Sequence, residues 1–269
     1  MPQSVVLGFY GMTDGQEIRG ILLDIEGTII VAGKPVSGAP AAIERLRRRG
    51  FPLRFLTNTT TLSAASLRAQ LEGKGIAIGS GELITPAAAA VRYLKRQGAS
   101  SCRMVVCEEL LPDFAELDST GGRPDFIVIG DIGPRWDYDL MSELFRLVME
   151  GARIVALHKG RFWQTEEGLT LDIGAFIAGL EYATGSAAVV MGKPAESFFR
   201  FALEGLAVDA GRALIVGDDA DSDIAGAAKL GIRGVLVRTG KFRPDWAERT
   251  QATSWRIIDS VASLPTLLE

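Results

Sequence analysis

The 269-residue chain has one histidine, two cysteines and no surplus of basic residues. With 29 Lys+Arg against 33 Asp+Glu its formal charge is −4 and its pI about 5.3, which argues against a nucleic-acid partner. The basic run "RLRRRG" (residues 45–50) has no interleaved aromatics and reads as a solvated helix face. No stretch of about 18 uncharged apolar residues occurs, so neither a transmembrane helix nor a membrane partner is expected. The opening "MPQSVVLGFYGM" lacks a basic n-region, and its apolar run is short. It reads as a lead into the first strand. "GFYGMTDG" lacks the Lys-Ser/Thr of a P-loop, which disfavours a nucleotide-binding module. Cys102 and Cys107, five apart in "CRMVVC", would point to opposite faces of a strand, so no disulfide is expected. They read as small hydrophobes, with a cytosolic location as the default. His158 has no partner in the sequence that would assign it acid–base or phosphohistidine chemistry, and a hydrogen-bonded strand end is the simpler reading.

Hydrophobic content is high, at 47%. Short β-branched runs ("GILLDI", "LRFLT", "MVVCE", "FIVIG", "RIVALH", "AVVMG", "ALIVGD", "GVLVRT") alternate with amphipathic stretches. Ile43 with Leu46, and Leu67 with Leu71, lie at helical spacing, with Gly50 and Gly75 as stops. Thr85 reads as an N-cap with Pro86 in the first turn, and Pro194 is expected to open a later helix in the same way. Near-continuous apolar strands alternating with helices predict an α/β fold with a parallel sheet covered on both faces.

Polar residues gather at the ends of these strands: Asp24 and Glu26, then Thr57, Asn58 and Thr59, then Lys193, then Asp218, Asp219 and Asp223. In an open parallel sheet, ligands bind at the carboxyl ends of the strands. Singly, each is an ordinary turn or cap residue. Jointly they offer carboxylates to a hard divalent cation such as magnesium, hydroxyl and amide donors to phosphate oxygens, and an ammonium. Gly27 and Thr28 are expected to turn backbone N–H groups toward the same anion. An aspartate beside a cation and a lysine stays ionised and is available as a nucleophile. This is the equipment of phosphoryl transfer.

Asp24-Ile25-Glu26-Gly27-Thr28, Thr57-Asn58, Lys193-Pro194 and Gly217-Asp218-Asp219 through Asp223 resemble, in order, the four motifs of the haloacid dehalogenase superfamily. The long insert resembles the C2-type cap of its NagD-like branch. The resemblance implies a Rossmann-like core (1–85 and 187–269) with an inserted α/β cap (86–186), and a homodimer through the cap is plausible for the branch. It implies a magnesium-dependent phosphohydrolase of small phosphorylated compounds, pyrophosphate or N-phosphorylated amino acids among them. Asp24 would be the nucleophile, forming an aspartyl-phosphate. Magnesium would be held by Asp24, Asp218 and the backbone carbonyl of Glu26. Thr57, Asn58 and Thr59 would bind the phosphoryl group, and Lys193 would neutralise charge. Asp223 and Asp219 would support the metal from behind.

In most phosphatases of the superfamily the position of Glu26 is aspartate, the general acid and then base. Glutamate keeps that chemistry but adds a methylene. Misplacement on that scale can cost roughly 10²-fold in rate. One expectation is slow turnover that favours good leaving groups; the other is a loop that lets Glu26 act normally. The rival reading is a pseudophosphatase that binds a phospholigand. In the insert, Lys159 and Arg161 could meet the far end of an anionic substrate or be solvated. Phe162 and Trp163 read as lid core or dimer contact.

Overall fold

The computed structural model of the chain describes residues 17–117, 123–165, 168–246 and 255–269. The N-terminal stretch read as a lead-in lies outside them, as does the side chain of Trp163. The order begins with β1 (Gly20–Asp24), β2 (Ile30–Val31), β3 (Lys34–Pro35), α1 (Ala39–Arg48), β4 (Leu53–Leu56), α2 (Ala64–Glu72) and β5 (Leu83–Ile84). It continues through α3 (Pro86–Arg96), β6 (Cys102–Val105), β7 (Phe126–Ile129), α4 (Tyr138–Met149), β8 (Arg153–Ala156), the hairpin β9 (Phe162–Thr165) and β10 (Gly168–Leu171), and α5 (Gly174–Thr184). It closes with β11 (Val189–Val190), α6 (Glu196–Glu204), β12 (Ala213–Gly217), β13 (Arg233–Val237) and β14 (Arg256–Ile258).

Six strands form one parallel sheet in the order β14-β13-β12-β1-β4-β5. Four form a second parallel sheet, β11-β8-β7-β6. β1 lies inside the larger sheet because every residue of "GILLD" is apolar or ends the run, and all are buried. Its side chains alternate between two cores. Ile21 and Leu23 pack with Leu214, Val216 and the α1 residues Ile43 and Leu46. Leu22 packs on the other face with Ile215 and the α6 residues Phe198 and Phe199. That second core runs on into Phe126, Val128 and Val155 of the smaller sheet, whose far face is covered by Leu144 of α4 and Ile177 and Leu180 of α5. From β1 the chain goes to β4 on one side and returns through β12 on the other, so a crevice opens at the carboxyl end of β1.

Several local expectations are met. Thr85 caps α3 by accepting from Ala88 N at 3.1 Å, with Pro86 in the first turn. Gly50 follows α1 at φ 81°, and Gly75 follows α2 at φ 79°. The arginines of "RLRRRG" are engaged: Arg45 with Glu269, Arg47 with Glu82, Arg48 with Glu44, and Arg49 with the carbonyls of Pro265 and Leu268.

Others are corrected. α6 starts at Glu196 behind Ala195, so Pro194 lies outside it, in a turn with Lys193 that Ala195 N closes by donating to Gly192 O at 3.0 Å. Cys107 lies beyond β6, at the head of a tight turn spanning Glu108–Phe114. Both thiols are free, but not for the reason of opposite strand faces. β11 pairs with β8 through Val189↔Val155 and Val190↔Ala156. β11 therefore belongs to the smaller sheet and precedes the return to the six-stranded one. A Val-Val run suits either sheet, so nothing in the sequence marks the crossing.

Candidate active site

Asp24, the last residue of β1, is buried, and its carboxylate is fixed from two sides. The Lys193 ammonium is bound to Oδ1. Oδ2 accepts from the Thr28 hydroxyl at 3.0 Å. Lys193 Nζ also lies 2.7 Å from Asp223 Oδ1. Carboxylate oxygens of Asp24, Asp218 and Asp223 all lie within 4.8 Å of one another, and all three residues are buried. Three acids thus face one ammonium in a site with little access to water.

The electrostatics follow from that imbalance. Burial raises the Asp24 pKa; Lys193 opposes the rise and the charge of Glu26 adds to it. Burial, then the neighbouring charges of Asp24 and Asp223, pushes Asp218 up to about 8. Burial pushes Asp223 up to about 7 against the pull of Lys193. For Lys193, burial favours the neutral amine, but Asp223 and Asp24 more than offset it, and the ammonium is held well above its ordinary value. A buried hard-oxygen donor set with excess negative charge fits a divalent cation; it would bind at the three aspartates and displace their protons.

Glycines make this convergence possible. Gly27 has φ 89°, and a Cβ there would lie 1.9 Å from Asp218 Oδ2. A Cβ on Gly240 (φ 61°) would lie 2.0 Å from the same oxygen. The expectation that Gly27 and Thr28 offer N–H groups to an anion is not met. Gly27 N donates to Ile30 O at 2.7 Å, and Thr28 N to Ile25 O at 3.4 Å, because the turn after β1 is tight enough to consume them. Thr28 acts instead through its hydroxyl.

The other expected residues reach the crevice with different duties. Glu26 is exposed, and its carboxylate is not one of the clustered three. Thr57 Oγ1 donates to its Oε2 and Thr59 Oγ1 to its Oε1, both at 2.8 Å. The Asn58 side chain was expected on the phosphoryl group. It clamps the backbone of Lys193: Nδ2 donates to Lys193 O at 2.9 Å, and Oδ1 accepts from Lys193 N at 2.8 Å. Gly192 gives it room, since a Cβ there would meet Asn58 Oδ1 at 2.6 Å. Asp219 was expected behind the metal. Its Oδ1 caps the Ala220–Ala225 turn, accepting from Asp221 N at 3.0 Å and Ser222 N at 2.9 Å. Asp223, expected in that outer position, reaches Lys193 and the acid cluster directly.

Residues after β13 escaped the sequence reading. The Thr239 hydroxyl donates to Gly27 O, and Lys241 N donates to Asp218 Oδ2 at 2.6 Å. The only sequence signal was a strand ending in Thr-Gly-Lys, which many turns share.

In the smaller sheet, His158 follows β8 and is buried. Its Nδ1 accepts from Gly160 N at 3.2 Å and lies 3.7 Å from Asp172 Oδ2; its Nε2 is 3.5 Å from Thr60 Oγ1. Burial lowers its pKa despite Asp172 and Asp131, so the ring is neutral near pH 7. This is the hydrogen-bonded strand end. Lys159 pairs with Glu181, and Arg161 lies over the Phe162 ring at 5.8 Å.

Two family profiles match the chain. One, described as "Haloacid dehalogenase-like hydrolase", covers residues 21–120; the other, "HAD-hyrolase-like", covers residues 190–264. The Homo sapiens protein named phospholysine phosphohistidine inorganic pyrophosphate phosphatase is 35% identical over 257 residues, 93% of this chain and 94% of that protein. Haloacid dehalogenase-like hydrolase domain-containing protein 2 of Bos taurus is 36% identical over 232 residues, 86% of this chain and 88% of its own. Among solved structures, the p-nitrophenyl phosphatase from Archaeoglobus fulgidus aligns with a TM-score of 0.85 at 24% identity, over 93% of this chain and 99% of that one. NagD from Escherichia coli K-12 aligns at 0.82 and 26% identity, over 92% and 98%.

Proposed function

The chain belongs to the haloacid dehalogenase-like hydrolase family, and from that premise we propose that it is a magnesium-dependent phosphohydrolase of small phosphorylated compounds, working through an aspartyl-phosphate at Asp24. The observation that carries this reading is the Asp24 carboxylate, held between the Lys193 ammonium and the Thr28 hydroxyl and bordered by Asp218 and Asp223. A nucleophilic carboxylate must be aimed and kept ionised: Thr28 and Lys193 aim it, and the Lys193 ammonium opposes the rise that burial and Glu26 impose on its pKa.

A divalent ion bound by Asp24, Asp218 and Asp223 would supply charge neutralisation for phosphoryl oxygens. Asp24 attacks phosphorus, and the bond to the leaving oxygen breaks with its electron pair. Glu26 supplies the proton that this oxygen needs, then takes one from the water that opens the aspartyl-phosphate. Lys193, its backbone held by Asn58, offsets the charge that builds on the phosphoryl group. The layer built on the smaller sheet acts as the lid, with the division near residues 86 and 190. Exposed apolar side chains in that layer (Tyr138, Met149, Leu169, Leu171, Tyr182) support a homodimer formed through it. Two free thiols support a reducing, cytosolic location; no helix among the described residues is long and apolar enough to cross a membrane. The name of the human relative supports pyrophosphate and N-phosphorylated amino acids as substrates. Glu26 Oε2 is bound by Thr57 Oγ1 and gives its proton only after that bond breaks, which favours slow turnover on poor leaving groups.

The test is turnover of p-nitrophenyl phosphate with and without magnesium, alongside Asp24→Asn. The expected outcome is a loss of about 10³-fold or more in the variant, no turnover without the ion, and beryllium fluoride trapping on the wild type alone. Full activity in Asp24→Asn would remove the nucleophile from the scheme. Metal and fluoride binding without turnover would favour the pseudophosphatase.

A further inference from the structure

We propose that Thr59 is a positioning residue that tethers Glu26 while a phosphoryl group occupies the site, and that this tether sets the selectivity between leaving groups. The proposal rests on the reading of Asp24 as the nucleophile.

A threonine hydroxyl has one proton to give. That of Thr57 goes to Glu26 Oε2 at 2.8 Å, while its oxygen accepts from Thr59 N at 2.8 Å. A phosphoryl oxygen seated against Thr57 can take that proton only by breaking the bond to Glu26. The exchange frees Oε2 at the moment the substrate arrives. Oε1 stays bound to the Thr59 hydroxyl, also at 2.8 Å. Glu26 is exposed and carries an additional methylene, so without that tether its carboxyl group would spread over several rotamers. With it, one oxygen is fixed and the other is free to give its proton to the leaving oxygen as the P–O bond breaks and Asp24 forms the new one. Aryl phosphates and pyrophosphate release stable anions and depend little on this proton; alkyl phosphates depend on it strongly.

The experiment measures kcat and KM for p-nitrophenyl phosphate and an alkyl phosphate, in magnesium, for the wild type, Thr59→Val, Thr59→Ser, Glu26→Gln and the Glu26→Gln/Thr59→Val pair. Thr59→Val should lower kcat on the alkyl ester about tenfold more than on the aryl ester, with KM for each changed by less than about threefold. Thr59→Ser should restore the wild-type ratio. In the Glu26→Gln background, Thr59→Val should leave the alkyl-to-aryl ratio unmoved. Equal losses on the two esters would overturn the tether, as would a ratio change that persists without the acid, which would place Thr59 on the substrate itself. If Thr59→Val does not fold, the Thr59→Ser ratio decides, and a Ser variant with the selectivity of Glu26→Gln overturns the idea. Activity surviving in Asp24→Asn would instead overturn the nucleophile reading; its loss there, beside an unmoved ratio in Thr59→Val, sinks the tether alone.

Discussion

Among the described residues there are two parallel sheets with polar side chains gathered at the carboxyl end of each, and of these two gatherings one is chemically unbalanced. Beyond β7 and β8 stand Asp131 and His158, with Asp172 close by. Their needs are met locally: Asp131 Oδ1 accepts from Gly133 N at 2.7 Å, Asp172 Oδ1 from Ile173 N at 2.7 Å, and His158 is neutral. Beyond β1 and β12, three buried carboxylates share one lysine. A polar strand end is therefore weak evidence of chemistry. Buried charge of one sign in excess is strong evidence, because it is costly until an external ion or substrate completes it.

The sharpest way to break this contrast is to remove the lone cation. Lys193→Met would leave Asp24 and Asp223 facing each other with no ammonium between them. Breaking a buried pair of this kind costs about 3–5 kcal/mol. A thermal melt should show the variant destabilised by that order at pH 8, with part of the loss recovered by saturating magnesium or by lowering the pH. A variant as stable as the wild type in the absence of metal would mean that the acids are not in electrostatic contact.

The pH dependence follows with its sign fixed. Asp218 and Asp223 have pKa values near 8 and 7 in the folded chain against an ordinary 3.8. The folded state therefore binds their protons more tightly than the unfolded state does. The stability they contribute is complete below about 3.8 and is lost as pH rises through 7 and 8. Without divalent ions, the melting temperature should fall between pH 6 and pH 9. A saturating divalent cation replaces the protons and should flatten that fall. Equal slopes with and without the ion would refute the assignment of these acids to a cation site. The His158 group, being satisfied and neutral, contributes nothing to the difference between the two conditions.

How much of this could be read in advance depends on whether a role is local or spatial. Asp24 and Asp218 end apolar runs in the sequence, so burial and acidity coincide visibly, and both sheets could be expected from the alternation of strands and helices. The backbone contacts of Asn58 could not be read in advance. Its amide suits a phosphoryl oxygen as well as a backbone, and the backbone it clamps is 135 residues away. Asp219 and Asp223, read alike in the sequence, differ in place because the turn at Ala220–Ala225 is π-helical, and that winding decides which carboxylate faces Lys193. Thr239, Gly240 and Lys241 were invisible for a topological reason. They follow β13, which is separated from β1 by β12, and they matter only because their loop reaches over β12 to Gly27 and Asp218.

That loop supplies the finest cut between the two regions. Gly240 sits at φ 61°, and an added Cβ would fall 2.0 Å from Asp218 Oδ2; at Gly160 an added Cβ would fall 2.0 Å from Asp172 Oδ2. The contact with the carboxylate is the same, although a Cβ at Gly240 would also meet Gly27 Cα at 2.5 Å; one carboxylate belongs to the unbalanced cluster and the other to the satisfied one. Both Gly240→Ala and Gly160→Ala should lose about 1–3 kcal/mol of stability. Only Gly240→Ala should weaken magnesium-dependent stabilisation in a melting titration, because only there does the displaced oxygen leave the site of excess charge. If both variants weakened it alike, the two clusters would be parts of one electrostatic unit, and the distinction between a balanced and an unbalanced strand end would fail in this protein.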